Sequence, residues 1–302
     1  MSIAVAKDSW EAQRRRAFLL GLAPSVIVLV AITLIPALAL VITSFTPLSL
    51  TDPVGTFRFD DLLGNYRELM ADPRFLGSVA TQLKLSTASV LFQVLVGLGL
   101  ALLLNGSSRI LAAVRSVFLI PMIQPPIVVA LIWKILYSPD VSPMHRALEA
   151  VGLPVRSLLA NPDTALWAVA VADTWQWFPF TMLMVLAALN SMPADPIEAA
   201  SLDGANRWQL FRYIILPYIR PILVVCALFR LIDSFKAFPL IYVLTNGGPG
   251  TVTEVTNYYS FVQAFNFSYW GYASAIATLM LAGVFALSWL VGRLDWTRHG
   301  RH

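Results

Sequence analysis

Residues 18–43 read FLLGLAPSVIVLVAITLIPALALVIT, 26 positions without a charged side chain. About 20 apolar residues in a helix cross the hydrocarbon of a bilayer. Arg14, Arg15 and Arg16 precede the run, and Ala37-Leu38-Ala39 inside it has the small residues of a signal cleavage site. A signal core is shorter, roughly 7–15 residues, so the run reads as an uncleaved first transmembrane helix. Working outward, five further apolar stretches lie at 79–104, 111–137, 165–190, 222–244 and 271–292. These segments predict an all-α polytopic membrane protein with six transmembrane helices and both termini on one side.

The composition agrees. The 302 residues are 58% hydrophobic and only 13% charged, against about 25% charged for soluble domains. The net charge of +4 comes from scattered basic residues with no patch for nucleic acid. Cys226 is the single cysteine, which excludes an internal disulfide and a zinc-type cysteine cluster; it reads as a small buried hydrophobe. His145, His299 and His302 have no acidic or cysteine neighbours in ligand spacing.

Lys and Arg accumulate on the cytoplasmic side of membrane proteins. Lys7, Arg14–Arg16, Arg109, Arg115, Arg207, Arg212, Arg220, Arg293, Arg298 and Arg301 fall on one side of the six spans. Arg58, Arg67, Arg74, Arg146 and Arg156 fall on the other, with acids such as Asp52, Asp60, Asp61, Asp72, Asp140 and Glu254. Twelve against five places both termini inside. The expected layout is a tail 1–17, a first helix 18–43, an extracytoplasmic segment 44–77, a five-helix core 78–292 containing a cytoplasmic loop 195–217, and a tail 293–302. Pro121, Pro125 and Pro126 crowd the third span; each removes a backbone donor and kinks or breaks the helix.

The loop reads Asp195-Pro-Ile-Glu-Ala-Ala-Ser-Leu-Asp-Gly-Ala-Asn-Arg-Trp-Gln-Leu-Phe-Arg-Tyr-Ile-Ile-Leu-Pro217. Asp195 as N-cap, Pro196 at the first helical position and Glu198 closing a capping box predict a short helix to about Leu202. Gly204 suits the left-handed residue that ends it. A second helical piece would carry Trp208, Phe211 and Ile215 on one face, with Pro217 and Pro221 breaking the chain before the fifth span. Two short helices at a glycine elbow, with the small Ala199 and Ala200 and the apolar Trp208 and Phe211, make a surface for another protein; an amphipathic loop lying on the bilayer is the competing reading.

Glu198-Ala199-Ala200, Gly204, then Ile214, Leu216 and Pro217 resemble the signature loop of inner-membrane permease subunits of binding-protein-dependent, ATP-binding-cassette importers. The resemblance covers most of the chain. Ile120-Pro-Met-Ile-Gln-Pro-Pro-Ile-Val-Val-Ala-Leu-Ile-Trp-Lys134, Trp175-Gln-Trp-Phe-Pro-Phe180, Leu231-Ile-Asp-Ser-Phe-Lys-Ala-Phe238 and Leu244-Thr-Asn-Gly-Gly-Pro-Gly250 resemble carbohydrate-uptake permeases, in particular the larger membrane subunit of maltose-type and glycerol-phosphate-type importers. Pro239 departs from the pattern, which often has an acid there. The resemblance implies a type I importer permease fold. It also implies a coupling helix, with Glu198, Ala199, Ala200, Asp203, Gly204, Trp208, Phe211 and Pro217 as coupling residues, set in a cleft of a nucleotide-binding subunit.

Asp173, Trp175, Arg230, Asp233 and Lys236 are candidates for the pathway or an intramembrane network. A charge at the bilayer centre costs roughly 2.5–3.5 kcal/mol, so it faces a partner or cavity. Arg230 and Asp233, three residues apart, can pair on one helix face; lining a substrate path and fixing helix packing both remain open. Lys84 and Lys134 are expected near outer helix ends, snorkelling. Trp133, Trp175, Trp177, Tyr258, Tyr259 and Trp270 are expected mostly in the interfacial aromatic belt.

The sequence has no Gly-x-x-x-x-Gly-Lys-Ser/Thr phosphate loop, and its longest outer segment, 44–78, is too short for a domain of ~50 residues. The chain is therefore expected to bind no cofactor itself. ATP and Mg belong to a partner ATPase pair, and first recognition belongs to an extracytoplasmic binding protein; a second homologous permease, a heterodimer, completes the expected assembly in the bacterial cytoplasmic (inner) membrane. The expected cargo is a carbohydrate (sugar, polyol or glycoside), with a non-sugar solute such as a glycerol phosphate ester as the alternative. An intramembrane enzyme lacks any His, Gly-x-Ser-x-Gly or His-Glu-x-x-His in its spans. A proton-coupled secondary transporter would rest on Asp173 and Asp233 alone.

Overall fold

Residues 2–51, 58–152 and 157–299 are described by a computed structural model; Asp52, Arg156, Arg301 and His302 lie outside them. The order is α1 (Ser2–Ser44), α2 (Gly64–Ala71), α3 (Pro73–Leu103), α4 (Arg109–Phe118), α5 (Ile120–Ile123), α6 (Pro126–Tyr137), α7 (Pro143–Ala150), α8 (Pro162–Asn190), α9 (Asp195–Leu202), α10 (Arg207–Leu210), a π-helical turn (Phe211–Ile215), α11 (Leu216–Ser234), α12 (Phe238–Leu244), α13 (Thr256–Phe261), a second π turn (Val262–Asn266) and α14 (Trp270–His299). Among the described residues there is no strand, and one isolated antiparallel bridge joins Ser49 and Tyr269.

Two compact units form. One runs up to Glu68 and includes Gln263–Thr278; the other is Leu69–Val262 with the residues from Leu279 onward. In the first, α1 leaves its apolar window entirely unburied. Its C-terminus is tied down by Asn65, whose Nδ2 donates to the Ser44 and Thr46 carbonyls at 2.9 Å each.

The second unit is organised by α3 and α8, which share the most extensive helix contact. Asp72 caps α3, accepting from the Arg74 N–H at 2.8 Å, and Pro73 occupies the first turn, where its missing donor costs nothing. At the far end the Arg115 guanidinium donates to the Leu104 and Gly106 carbonyls. The inner face of α3 holds Ser78, Gln82, Ser86, Ser89, Gln93 and Gly97, all buried, while Leu83, Leu91 and Leu95 are half exposed. Water would invert that pattern. Lipid favours it, because small and polar residues knit helices together where leucine gains nothing by burial. Gly97 lets the backbones meet: a Cβ there would lie 2.6 Å from Thr181 Cβ and 2.9 Å from Phe178 O.

Among the described residues four helical stretches are long and apolar enough to cross a membrane: Arg14–Ser44, Pro73–Leu103, Arg207–Ser234 and Trp270–Trp289. Two bent pairs, Arg109–Ile123 with Pro126–Tyr137 at 99° and Pro162–Asn190 with Asp195–Leu202 at 75°, raise the number to six if each is one span. The proline-rich third span is thus sharply broken. Gln124 and Pro125 are extended at its corner, the conformation a residue adopts before proline.

Two sequence expectations are corrected. The fifth span is not 222–244: the helix runs from Arg207 to Ser234 and α12 is a separate piece. Nor do Pro217 and Pro221 break it. Pro217 sits in the first turn of α11, just after the π turn in which the Leu216 N–H reaches the Phe211 carbonyl, five residues back. The register shift takes up the missing donor.

Candidate functional site: the 195–217 elbow and the buried polar network

The elbow is built from consecutive caps. Ala194 already has helical backbone angles and precedes α9 without a side-chain cap. Asp195 is therefore the first helical residue and not the N-cap, and the expected Asp195–Glu198 capping box is absent; both acids still lie in the first turn, favourably placed on the helix dipole. The C-terminus forms a Schellman motif. Ala205 N–H donates to Ala200 O at 3.0 Å, Gly204 N–H donates to Ser201 O at 3.1 Å, and Gly204 has φ +79°, the left-handed conformation that glycine adopts without penalty. Asn206 then starts α10 with a reciprocal box: its Oδ1 accepts from Gln209 N–H at 2.9 Å and Gln209 Oε1 accepts from Asn206 N–H at 2.7 Å. Asn206 and Gln209 carry the spacing of a capping box, a signal overlooked in the sequence.

The elbow presents an uncovered surface. Leu202 is 89% and Trp208 67% exposed, and the Trp208 and Phe211 rings sit 5.7 Å apart. Glu198, Ala199 and Asp203 are exposed, Ala200 half-buried. Ile215 turns inward and packs against the buried cluster that includes Met182, Leu189 and Ile219, so one side of the second helical piece is anchored and the other left bare.

The intramembrane candidates assemble partly as expected. Arg230 Nη1 pairs with Asp233 Oδ2 at 2.5 Å, and Lys236 Nζ lies 3.4 Å from Asp233 Oδ1. Asp173 does not meet Arg230 directly. Gln93 stands between them, its Nε2 donating to Asp173 Oδ2 at 2.8 Å and its Oε1 accepting from Arg230 Nε at 2.9 Å. The Arg230 guanidinium also lies over the Trp177 ring at 4.2 Å, a favourable cation–π geometry. Trp175 packs with Trp133 instead, 5.9 Å between centroids. Two to three turns toward Pro73, Gln82 donates to Ser234 O and to Ser86 Oγ, and Ser234 Oγ bonds Ser86 Oγ. Helices α3, α8 and α11 are thereby cross-linked around an amide. The network is graded: Arg230 and Asp173 are buried, the Asp233 side chain is 34% exposed and that of Lys236 76%. Lys236 is outside the helix, in the break between α11 and α12.

Beside that break lies a cluster sequence reading did not assemble: Phe238, Tyr242 and Phe261, with ring centroids 4.9–5.6 Å apart and Tyr242 46% exposed. Tyr258 and Tyr259, expected in the interfacial belt, are buried. Glu254, expected among the outer acids, is also buried; it accepts both Nε and Nη2 of Arg74 at 2.8 Å, and Tyr259 Oη donates to Asp72 Oδ2 at 2.5 Å. Burial, then the Glu254 carboxylate, push the Tyr258 phenol above its ordinary range.

Residues 93–296 match the family described as binding-protein-dependent transport system inner membrane component. The chain belongs to this family. It is 34% identical over 234 residues, 76% of the chain and 79% of the relative, to a trehalose/maltose transport system permease protein of Thermococcus litoralis. It is 31% identical over 284 residues (94% and 89%) to a trehalose transport system permease protein of Mycobacterium tuberculosis. A sulfoquinovosyl glycerol transport system permease protein of Agrobacterium fabrum is 33% identical over 263 residues (86% and 84%). Among solved structures, a chain of a bacterial alginate ABC transporter superposes with a TM-score of 0.80 at 22% identity, covering 95% of this chain and 96% of that one; the likeness concerns the fold. The relatives named are transport permeases, and this inner-membrane component is a permease subunit.

Proposed function

We propose that the chain is the transmembrane permease subunit of an ATP-driven importer that carries a carbohydrate from an extracytoplasmic binding protein into a bacterial cytoplasm. The observation that carries the reading is the elbow, an exposed pair of short helices joined at Gly204, the second continuous with α11. The three permeases above, whose names specify trehalose, maltose and sulfoquinovosyl glycerol, support a carbohydrate as cargo.

In this reading six spans place both termini and the elbow in the cytoplasm. Two separate nucleotide-binding subunits bind ATP and Mg. Their closure drags the elbow, held through Glu198, Ala199, Ala200, Trp208 and Phe211. Gly204 keeps α9 at a fixed angle to α10, and the continuous Arg207–Ser234 helix passes the movement to Arg230 and Asp233. A second homologous permease closes the pathway. Asp233, Lys236 and Tyr242, which face outward from this chain, contact the sugar's hydroxyls and apolar face; Asp173, Gln93 and Arg230 behind them set their position, and Trp175 is packing.

The test uses the complete importer in proteoliposomes. In Gly204→Val the new Cβ meets no non-neighbouring atom within 4 Å, but a β-branched residue at φ +79° is strained by about 1–2 kcal/mol. ATP hydrolysis is expected to persist or rise while sugar uptake falls at least tenfold. Undiminished ATP-driven uptake would refute the elbow's role, and uptake driven by a proton gradient without ATP would refute the importer reading altogether.

A further inference from the structure

The apolar run 222–244 is broken between α11 and α12, at 235–237. A break at membrane depth frees backbone carbonyls that lipid cannot satisfy, so protein must supply the donors. Two side-chain amides from other helices do so. Gln82 of α3, 152 positions away, donates from Nε2 to Ser234 O at 3.2 Å. Asn257 of α13 donates from Nδ2 to Phe235 O at 2.8 Å. The Ser234 hydroxyl is held on α3 as well, donating to Ser86 Oγ at 2.8 Å. Gln82 is buried, and neither amide oxygen, Gln82 Oε1 or Asn257 Oδ1, meets a donor among the described residues. Methionine and leucine have nearly the same shapes and would strand no acceptor, which is costly when buried. What each amide contributes at its place is therefore its N–H donor, and both reach the same break.

The break carries side chains assigned above to the sugar. The Lys236 N–H donates to Asp233 O at 2.8 Å and the Ala237 N–H to Ser234 O at 3.2 Å, so Lys236 follows directly on the two clamped carbonyls. Its side chain is 76% exposed, with Nζ 3.4 Å from Asp233 Oδ1. Beyond the break, Phe238 packs on Phe261 at 4.9 Å and on Tyr242 at 5.4 Å between centroids. Asn257 and Phe261 are one turn apart on α13, so one helix face holds both the backbone and the first ring of the break. We infer that Gln82 and Asn257 are positioning residues of the sugar-contacting surface. Their amides fix the backbone of 234–238 in the shape that aims Lys236 out of the chain and seats Phe238 beside Tyr242, without touching the sugar themselves. The inference rests on the proposed contact of Lys236 with the sugar.

The test uses the complete importer in proteoliposomes, with Gln82→Met and Asn257→Leu. Gln176→Met is the matched control. It removes the same kind of bond, Gln176 Nε2 to Gln124 O at 3.2 Å, at the corner of the third span. Acetylation of Lys236 by an amine reagent, followed by mass spectrometry, is expected to be about threefold faster or more in the first two variants, because Nζ leaves the Asp233 carboxylate. In Gln176→Met it is expected at the wild-type rate. Uptake of radiolabelled trehalose, a sugar that two relatives' names specify, is measured with saturating binding protein. It is expected to fall about five- to tenfold in Gln82→Met and Asn257→Leu, the size of one lost hydrogen bond, with ATP hydrolysis retained. Wild-type acetylation in both variants, or an equal change in Gln176→Met, overturns the positioning role. Asn257 is only partly buried, so Asn257→Leu decides alone if Gln82→Met fails to assemble. Lys236→Met separates this inference from the reading beneath it. Undiminished trehalose uptake in Lys236→Met, with acetylation still altered by the amide variants, refutes the sugar contact and leaves the clamp standing.

Discussion

Replacing Gly97 by alanine adds one methyl group to the tightest point of the α3–α8 seam. The new Cβ would stand 2.6 Å from Thr181 Cβ, 2.9 Å from the Met182 nitrogen and 2.9 Å from the Phe178 carbonyl oxygen. Two of those three atoms are backbone and cannot rotate aside. Carbon contacts settle near 3.5–4.0 Å, so the helices must part locally by about 1 Å, stretching the Gln93 bridge one turn away. Overpacking of this kind costs about 1–3 kcal/mol, or about 2–12 °C in unfolding midpoint for a unit of this size. Gly99 supplies the control on the same helix: nothing lies within 4 Å of a Cβ there, and Gly→Ala at an unstrained helical site stabilises by about 0.4–1 kcal/mol. Thermal unfolding in detergent, followed by tryptophan fluorescence, should therefore move in opposite directions for Gly97→Ala and Gly99→Ala. Equal midpoints for the two variants would refute the close-packed seam.

Arg230→Met should be far more damaging than Asp173→Asn. The first strands Gln93 Oε1 and leaves the partly exposed Asp233 with Lys236 alone, a loss of roughly 2–3 kcal/mol, reduced from the fully buried range by that exposure, whereas asparagine keeps an oxygen for Gln93; the amount of folded chain in membranes and its melting temperature test the ranking. At the Arg74–Glu254 pair the asymmetry is in burial, with side-chain exposures of 45% and 3%. Arg74→Ala should cost roughly 2–4 kcal/mol by stranding a buried carboxylate, reduced from the fully buried range by the exposure of Arg74. Glu254→Gln should cost less, and hydrogen exchange of residues 245–254 would reveal the same ordering.

Where a single residue dictates local backbone, the sequence was readable. Gly204 ends α9 in the left-handed conformation, and Arg230 and Asp233 pair as their spacing implies. Long apolar runs fall on the long helices but do not mark their ends. The fifth is displaced because proline signals a stop, whereas a π turn accommodates it. Asp195 before Pro196 has the pattern of a cap, but Ala194 has already entered the helix. Long-range partners left no local trace. Gln93 is an ordinary polar residue until α8 and α11 bring Asp173 and Arg230 to it, and Glu254 finds Arg74 across 180 positions.

The π turn at Phe211–Ile215 acts as a phase shifter. An α-helix advances about 100° per residue, and a π turn holds one residue more than the α turn it replaces. Without that extra residue the same cylinder would arrive at Arg230 rotated by about 100°, its guanidinium aimed away from Gln93. The direction in which the elbow presents Trp208 and the direction in which α11 presents Arg230 are thus indexed to each other by a single residue count, and an insertion or deletion anywhere between Trp208 and Arg230 resets that index.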